Sequence, residues 1–511
     1  MPPLPLTGRD LTIGNVIEVA RGRRAVAVDP AAADRMRASR AVIERLVADG
    51  ATVYGVTTGF GDLADTRIDP AETPALQRNL VRSHAAGVGD PLADEVVRAM
   101  LLLRANALAV GLSGVRVEVV NLLVAMLNAA VHPVVPSRGS LGASGDLAPL
   151  AHVALVLIGE GEATVDGAGP GPGADALARA SLDPIELDTK EGLALLNGTQ
   201  LMTAIGALAH HDALRLALSA DVVGAMSLEA MLGTGAAFAE HLIGARPHPG
   251  QVASARHLRE LLADSEIWAS HRADTEHRVQ DAYSLRCMPQ VHGAARDVLS
   301  ELERVLSVEL NAATDNPLVF ASGEVISGGN FHGEPLALAL DYATMAVAEL
   351  ASISERRTAR LVDAHLSAGL PPFLAERPGV ESGLMIAHYT AAALVNELKT
   401  LAHPACVDSI PTSANQEDHV SMGATSALHL RAAVDLAEQV LAIEALCAAQ
   451  GIDFRAPLRP GAGVAAAHSA LRARVAHLET DRSPAPDIAA ARDLVHAGGL
   501  LGNGATQRAH A

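Results

Sequence analysis

The chain has 511 residues, 49% of them apolar, and 39 basic against 58 acidic side chains give a formal net charge of −19. That length suffices for two or three domain-sized units and a large buried core, and the apolar share excludes disorder over most of it. The acidic balance excludes nucleic acid or an anionic membrane surface as the main partner.

In chain order, the opening "MPPLPLTGRDLTIGN" lacks a basic n-region and an apolar h-region, so no signal peptide is expected. No uncharged apolar run reaches ~18 residues, the length a membrane span needs, and the chain reads as cytoplasmic. Residues 1 to about 160 mix short elements with helices. "ATVYGVTTGFG" (51–61) reads as an extended segment entering a glycine-rich loop, and "DEVVRAMLLLRANALAVG" (94–111) as a helix that ends at Gly111. "GFGDLA" (59–64) is too short a glycine match to stand as a dinucleotide fingerprint.

"RGSLGASGDLAPLAH" (138–152) is the most informative stretch, and on its own it permits three readings. The first is a loop entering a helix over 147–158, with Asp146 as N-cap and Gly159 as terminator. The second is a hydrolase elbow with Ser144 as nucleophile. Against it, aspartate stands where G-x-S-x-G needs its last glycine, and "VVPSRGSLG" makes a poor central strand. The third is autocatalytic cyclisation of Ala143-Ser144-Gly145, in which the Gly145 nitrogen attacks the Ala143 carbonyl. Loss of water, including the Ser144 hydroxyl, would leave a built-in Michael acceptor at a helix N-terminus. Composition does not choose among the three.

Beyond it, "VDGAGPGPGAD" (165–175) reads as a surface loop. From about 200 onward the pattern is helical, as in 201–232 and 423–450. In the latter, Leu428, Ala432, Leu436, Val440, Ile443 and Cys447 fall on one face, and Leu430, Val434, Ala437 and Leu441 on a neighbouring one. So wide an apolar arc suits the middle of a bundle. "DRSPAPD" (481–487) and the tail after His496 are poor helix material. The expected fold is mainly α: a long-helix bundle over 216–511, with a smaller mixed N-terminal part, 1–215, carrying the 143–145 loop. Only two lysines occur, Lys190 and Lys399, which lowers the case for a pyridoxal Schiff base. The three cysteines are scattered, His210-His211 is adjacent, and no HExxH occurs, so neither a disulfide framework nor a metal site is expected.

"GSLGASGDLAPLAH" resembles the signature of the aromatic amino acid ammonia-lyases and aminomutases, whose prosthetic group is 4-methylideneimidazole-5-one (MIO) made from Ala-Ser-Gly. The resemblance runs over nearly the whole chain, in family order. It takes in "YGVTTGFGDLADTRI" (54–68), "QRNLVRSHAAGVG" (77–89), "LLNGTQLMTA" (195–204) and "VQDAYSLRCMPQVHGA" (279–294). It continues through "ATDNPLVF" (313–320), "SGGNFHGEP" (327–335) and "DSIPTSANQEDHVSMG" (408–423). "SHAAG" and "SANQEDHVSM" are most similar to the branch of the family that acts on histidine. Met288, where some of that branch carry glutamine, is a departure expected to be tolerated.

The resemblance implies nonoxidative elimination of ammonia from L-histidine to trans-urocanate, the first step of histidine degradation. It also implies a homotetramer with sites shared between subunits, and no external cofactor. Ala143, Ser144 and Gly145 would form the MIO, Ser144 becoming a dehydroalanine, and this ring would supply the electrophile. Tyr54 matches the family's catalytic tyrosine, a base only when its phenolate is stabilised. Tyr283 and Asn197 match residues beside the MIO that help bind and orient substrate, and Gln280 joins that polar set. Arg286 matches the carboxylate-binding arginine, whose guanidinium supplies the required fork. His84 and Glu417 match the side-chain pocket, where a carboxylate can pair with an imidazole N–H, and Phe331 matches a residue near the ring. Each has a blander role when taken alone: a half-buried strand tyrosine at 54, a turn asparagine at 197, a surface arginine at 286, core packing at 331. The competing functions are a tyrosine or phenylalanine ammonia-lyase or aminomutase with the same MIO, an inactive helical scaffold, and a serine hydrolase.

Overall fold

The computed structural model describes residues 1–51, 72–143, 145–271 and 279–502. Tyr54 and Ser144 lie outside the described residues. The chain divides into two compact units. One comprises Met1–Leu208, Leu302–Asp341 and Pro404–Leu428; the other comprises Ala209–Glu301, Tyr342–His403 and His429–Ala511.

The first unit holds the short strands. Leu4–Leu6 runs parallel to Val26–Val28, Val88–Pro91 pairs antiparallel with Pro136–Arg138, and Val131–Pro133, Glu162–Val165 and Gly171–Pro172 form a three-stranded sheet. Pro136, which lacks a ladder donor, sits in a two-stranded pair. The helix expected over 94–111 is Asp94–Ala109. Every residue in it from Val96 to Ala109 is buried, so it is a core helix on all sides. Gly111 follows at φ +84°, and a Cβ there would meet the Arg35 Cβ at 2.7 Å. Helix Leu147–Leu157 ends, as its composition predicts, before Gly159 at φ +78°. The 165–175 stretch is mostly exposed, though its flanks pair as strands and Gly173 opens a helix to Arg179.

The long helices expected at 201–232 and 423–450 are Gln200–Ala230 and Gly423–Asp453, joined by Met288–Glu309 and Glu334–Val362. Leu430, Val434, Ala437 and Leu441 are buried as the pattern requires, whereas Leu428, Ala432 and Leu436 on the other face are only half-buried. Glu334–Val362 is, among the described residues, the one helix long and apolar enough to cross a membrane. Its most apolar window is 67% buried within the protein, as a core helix would be. Near the C-terminus the sequence reading fails locally: Ala485, Pro486 and Asp487 form the first turn of helix Ala485–His496. Proline is tolerated there because a first-turn N–H has no intrahelical acceptor.

Candidate active site

The 138–146 loop is held from two directions inside the first unit. Its strand end pairs with Val88–Pro91, immediately beyond "SHAAG". The Gly142 carbonyl accepts from the Gly333 N–H (3.1 Å) and the Ser421 hydroxyl (3.0 Å), and the Met422 N–H donates to Leu141 (2.8 Å). Ala143 is buried against Val420 and Met422. The "GASG", "NFHG" and "HVSM" stretches, far apart in sequence, thus meet at one loop.

Backbone conformation shows why the loop is glycine-rich. Gly142 has φ +67° and Gly145 φ +73°, a region that side chains with a Cβ disfavour. A Cβ on Gly142 would lie 2.2 Å from the Ser421 Oγ, and one on Gly145 would lie 2.2 Å from the Gly198 carbonyl oxygen. Gly145 bridges to Gly198 in parallel register, and the Asp146 N–H donates to that same Gly198 oxygen at 2.6 Å. At Gly145 every atom a Cβ would strike is Gly198 backbone, so the cradle admits hydrogen and nothing larger there.

Asp146 does not act as the sequence reading proposed. It makes no side-chain cap to its own helix. Its Oδ2 instead accepts from the Leu201 and Met202 N–H groups (2.8 and 3.1 Å) in the first turn of Gln200–Ala230, and its Oδ1 accepts from the Ser140 hydroxyl at 2.7 Å. The carboxylate therefore caps a helix 55 residues downstream, with its own backbone taken up by Gly198. Burial pushes its carboxyl up to about 6, against the opposing pull of these three hydrogen bonds. Only a structure could show this, because the acceptor and the capped helix are distant in sequence.

Asn197, 4% exposed, follows helix Glu191–Leu196, and its Nδ2 donates to the Asn316 carbonyl at 3.3 Å. His84 ends helix Thr73–His84, with its Nδ1 2.9 Å from the Leu80 carbonyl. Burial holds its imidazole below the ordinary histidine range, while the Leu80 carbonyl and the charge of Glu417 act in the opposite direction. Glu417 sits on a tight turn, 412–417, closed by reciprocal Thr412 and Glu417 backbone bonds, with the Thr412 hydroxyl 3.3 Å from its Oε2. Phe331 is half-buried just before helix Glu334–Val362, and the adjacent His332 ring stacks on His419 with centroids 6.0 Å apart. Ala143, Gly145, Asn197, His84, Phe331 and Glu417 all fall in the first unit.

Tyr283, Gln280 and Arg286 belong to the second unit. Tyr283 and Arg286 share the single turn Tyr283–Arg286, and the guanidinium carbon lies 4.6 Å from the Tyr283 ring centroid, a cation–π contact. Arg286 makes no ion pair among the described residues, and its Nε is buried without a partner. Tyr283 is 71% exposed and Gln280 is exposed. Met288 points elsewhere: it is fully buried, and a Cβ on Gly224 would meet its sulfur at 2.4 Å. Among the described residues no cluster of His, Cys, Asp or Glu could hold a metal ion.

A family model described as aromatic amino acid lyase matches residues 11–473. The chain belongs to the aromatic amino acid lyases. Among relatives of this lyase, the histidine ammonia-lyase of Anaeromyxobacter sp. (strain K) is 57% identical over 507 residues, covering 98% of this chain and all of that one. Two solved structures share the fold at full length. The histidine ammonia-lyase of Trypanosoma cruzi superposes with a TM-score of 0.92 at 42% identity, covering 99% and 96% of the two chains. The tyrosine aminomutase of Streptomyces globisporus gives 0.94 at 39%, covering 98% of each. The expectation of a mainly α lyase is borne out.

Proposed function

We propose that this lyase is a histidine ammonia-lyase that converts L-histidine to trans-urocanate and ammonia with an MIO made from Ala143, Ser144 and Gly145. The observation that carries the choice of histidine is the full-length likeness to relatives named histidine ammonia-lyase, 57% identical over 507 residues, and His84 and Glu417 lie in the unit that holds the tripeptide loop. A carboxylate there can accept a substrate imidazole N–H, which a phenyl ring cannot offer. The solved histidine ammonia-lyase of Trypanosoma cruzi supports the same choice.

The cradle fits the prosthetic group. Gly142 just before the tripeptide and Gly145 at its end both hold positive φ, where a Cβ would strike Ser421 or Gly198, and Ala143 is small and buried. The ring, once formed, supplies an electrophile that makes the amino group of the substrate a competent leaving group. The chain's own residues do the rest. Arg286 receives the substrate carboxylate through its guanidinium fork, with the Tyr283 ring beside it. Asn197, set by its bond to Asn316, orients the polar end of the substrate. Tyr54 takes the β-proton, Gln280 extends the polar set, Phe331 walls the ring, and Glu417 binds the imidazole and can carry a proton. The exposure of Tyr283 and Gln280 supports a homotetramer whose subunits complete one another's sites, since elimination chemistry needs water excluded. The protein is read as cytoplasmic.

The test offers L-histidine, L-tyrosine and L-phenylalanine separately and follows the ultraviolet absorbance of the product, with β-amino acids assayed for aminomutase activity. Urocanate from histidine is expected, together with an intact mass lower than the translated sequence by two waters. Ser144→Ala should abolish both. An unmodified mass would favour a scaffold, and phosphonate labelling of Ser144 a hydrolase. Failure to form urocanate overturns the assignment.

A further inference from the structure

Arg104 is the one charged residue in the mostly apolar run "MLLLRANALAVG", in a helix buried on all sides, and is itself 1% exposed. Among the described residues no carboxylate pairs with its guanidinium; Asp315, whose charge acts on it, accepts instead from the Lys190 ammonium through its Oδ2 at 2.6 Å. A buried cation without a direct counter-ion is expensive, and a leucine or methionine would fill such a core at less cost. What Arg104 does with its donors is gather one short segment. Its Nη2 donates to Ala194 O (2.5 Å), and its Nη1 donates to Asn197 O (3.0 Å) and Gln200 Oε1 (2.7 Å). The two carbonyls lie at the C-terminal end of helix Glu191–Leu196, where a cation meets the negative end of the dipole.

That segment is the one that faces the tripeptide. A Cβ on Gly198 would lie 2.2 Å from Arg104 Nη1, 2.4 Å from Gln200 Oε1 and 2.9 Å from Thr314 Oγ1, so the guanidinium rests directly against the Gly198 Cα. The Gly198 carbonyl in turn accepts the Asp146 N–H and closes on Gly145. Gln200, besides accepting from Arg104, donates to Thr314 at 2.9 Å, which ties the group to the 313–320 block. Two successive contacts thus connect the guanidinium to the Gly145–Asp146 backbone, and the first of them fixes the backbone of Asn197.

We propose that Arg104 is a positioning residue: it seats the Asn197–Gly198 peptide so that the Gly198 carbonyl holds Gly145 for ring closure and Asn197 for substrate. The proposal rests on the reading of 143–145 as the ring precursor. In that closure the Gly145 nitrogen bonds to the Ala143 carbonyl carbon. The Ala143 oxygen leaves as water with the Gly145 and Ser144 amide protons, and the Ser144 hydroxyl leaves with the Ser144 Cα proton. No oxidant or reductant is needed. Arg104 takes no part in these bonds; it fixes the distance over which the first one forms.

The experiment compares the wild-type chain with Arg104→Gln, Arg104→Lys and Gln200→Met. Intact mass after cell-free synthesis follows how fast each chain loses two waters, thermal unfolding reports the fold, and kcat and KM for L-histidine are scaled to ring content. A misplacement of about 1 Å costs about a hundredfold in such a step, so Arg104→Gln should slow water loss about a hundredfold. Arg104→Lys, which keeps the charge but spans fewer acceptors, should recover part of the rate. Gln200→Met leaves Arg104 in place and should also slow ring formation; it decides the matter if both position-104 variants fail to fold. A folded Arg104→Gln chain that loses two waters at the wild-type rate overturns the proposal whatever its melting temperature, as does a Gln200→Met chain with unchanged kinetics. If the wild-type chain itself keeps both waters, the ring reading fails first and the role of Arg104 falls with it.

Discussion

Replacing Gly145 with alanine tests the cradle at its tightest point. The glycine holds φ +73°, and the added Cβ would lie 2.2 Å from the Gly198 oxygen, 2.5 Å from its carbon and 2.7 Å from its nitrogen. All three are backbone atoms, so no side chain can swing aside. Ordinary contact begins near 3.4 Å, which means the Gly198 peptide or the loop must retreat by about 1 Å. The left-handed backbone adds about 1–2 kcal/mol for a residue with a Cβ. The retreat also stretches the 2.6 Å bond from the Asp146 N–H to Gly198, and a buried donor left without its acceptor costs about 1–3 kcal/mol. The local penalty is therefore about 2–5 kcal/mol, enough to change the tripeptide conformation without unfolding a chain of this size. Gly145→Ala should accumulate as folded protein that keeps both waters and forms no urocanate, read by intact mass and by absorbance of the product. Full loss of two waters with wild-type turnover would show that the Gly198 contact does not govern closure, and the steric argument would be wrong.

Three further outcomes follow from other parts of the molecule. The Asp146 carboxyl titrates near 6 in the folded chain against an ordinary value of 3.8, so the native state binds a proton between about pH 4 and 6 that the unfolded chain has released. Its contribution to stability is then greatest near pH 4, declines by about 3 kcal/mol as pH rises to 6 and is flat above; Asp146→Asn should remove that slope, seen by comparing the melting curves of the two proteins across this range. Glu417→Gln should lower kcat/KM for L-histidine by at least about a hundredfold while narrowing the preference over phenylalanine, because the neutral amide no longer offers a charged acceptor to the imidazole; unchanged selectivity would remove Glu417 from the specificity pocket. In the second unit, Arg357 and Glu444 form a fully buried bidentate pair at 2.5 and 2.9 Å, with the Ser227 hydroxyl donating to the same carboxylate. Glu444→Gln should cost about 3–5 kcal/mol by stranding the guanidinium, and a change below about 1 kcal/mol in denaturant unfolding would contradict that account.

The long helices were legible because periodicity and propensity agree over many turns. Gln200–Ala230 and Gly423–Asp453 lie within a few residues of the expected spans. The misses sit where local and distant contacts compete. Proline at 486 looks like a breaker until the helix is known to start at Ala485, where its missing N–H costs nothing. Leu428, Ala432 and Leu436 follow the same spacing as buried residues, yet they are only half-buried, since periodicity gives the direction of a face and not what covers it.

At the site, residue types and blocks were legible, but their division of labour was not. A glycine followed by aspartate and an apolar run reads as a helix cap, and nothing local distinguishes capping the helix at 147 from capping the one at 200. The structure decides it through a fact with no local signature: the Asp146 backbone is already engaged by Gly198, and its side chain is left to reach Leu201 and Met202. Arg104 was the reverse case. Its signal was present in the sequence as a charge inside an apolar helix, but a buried arginine says only that it must find acceptors. That the acceptors are Ala194, Asn197 and Gln200 is what links a core helix to the tripeptide. The glycines at 142, 145 and 198 are then parts of one packing problem, in which two backbones must approach closer than any Cβ allows, with a guanidinium behind one of them. A sequence can display each glycine, but the reason for all three exists only where the segments meet.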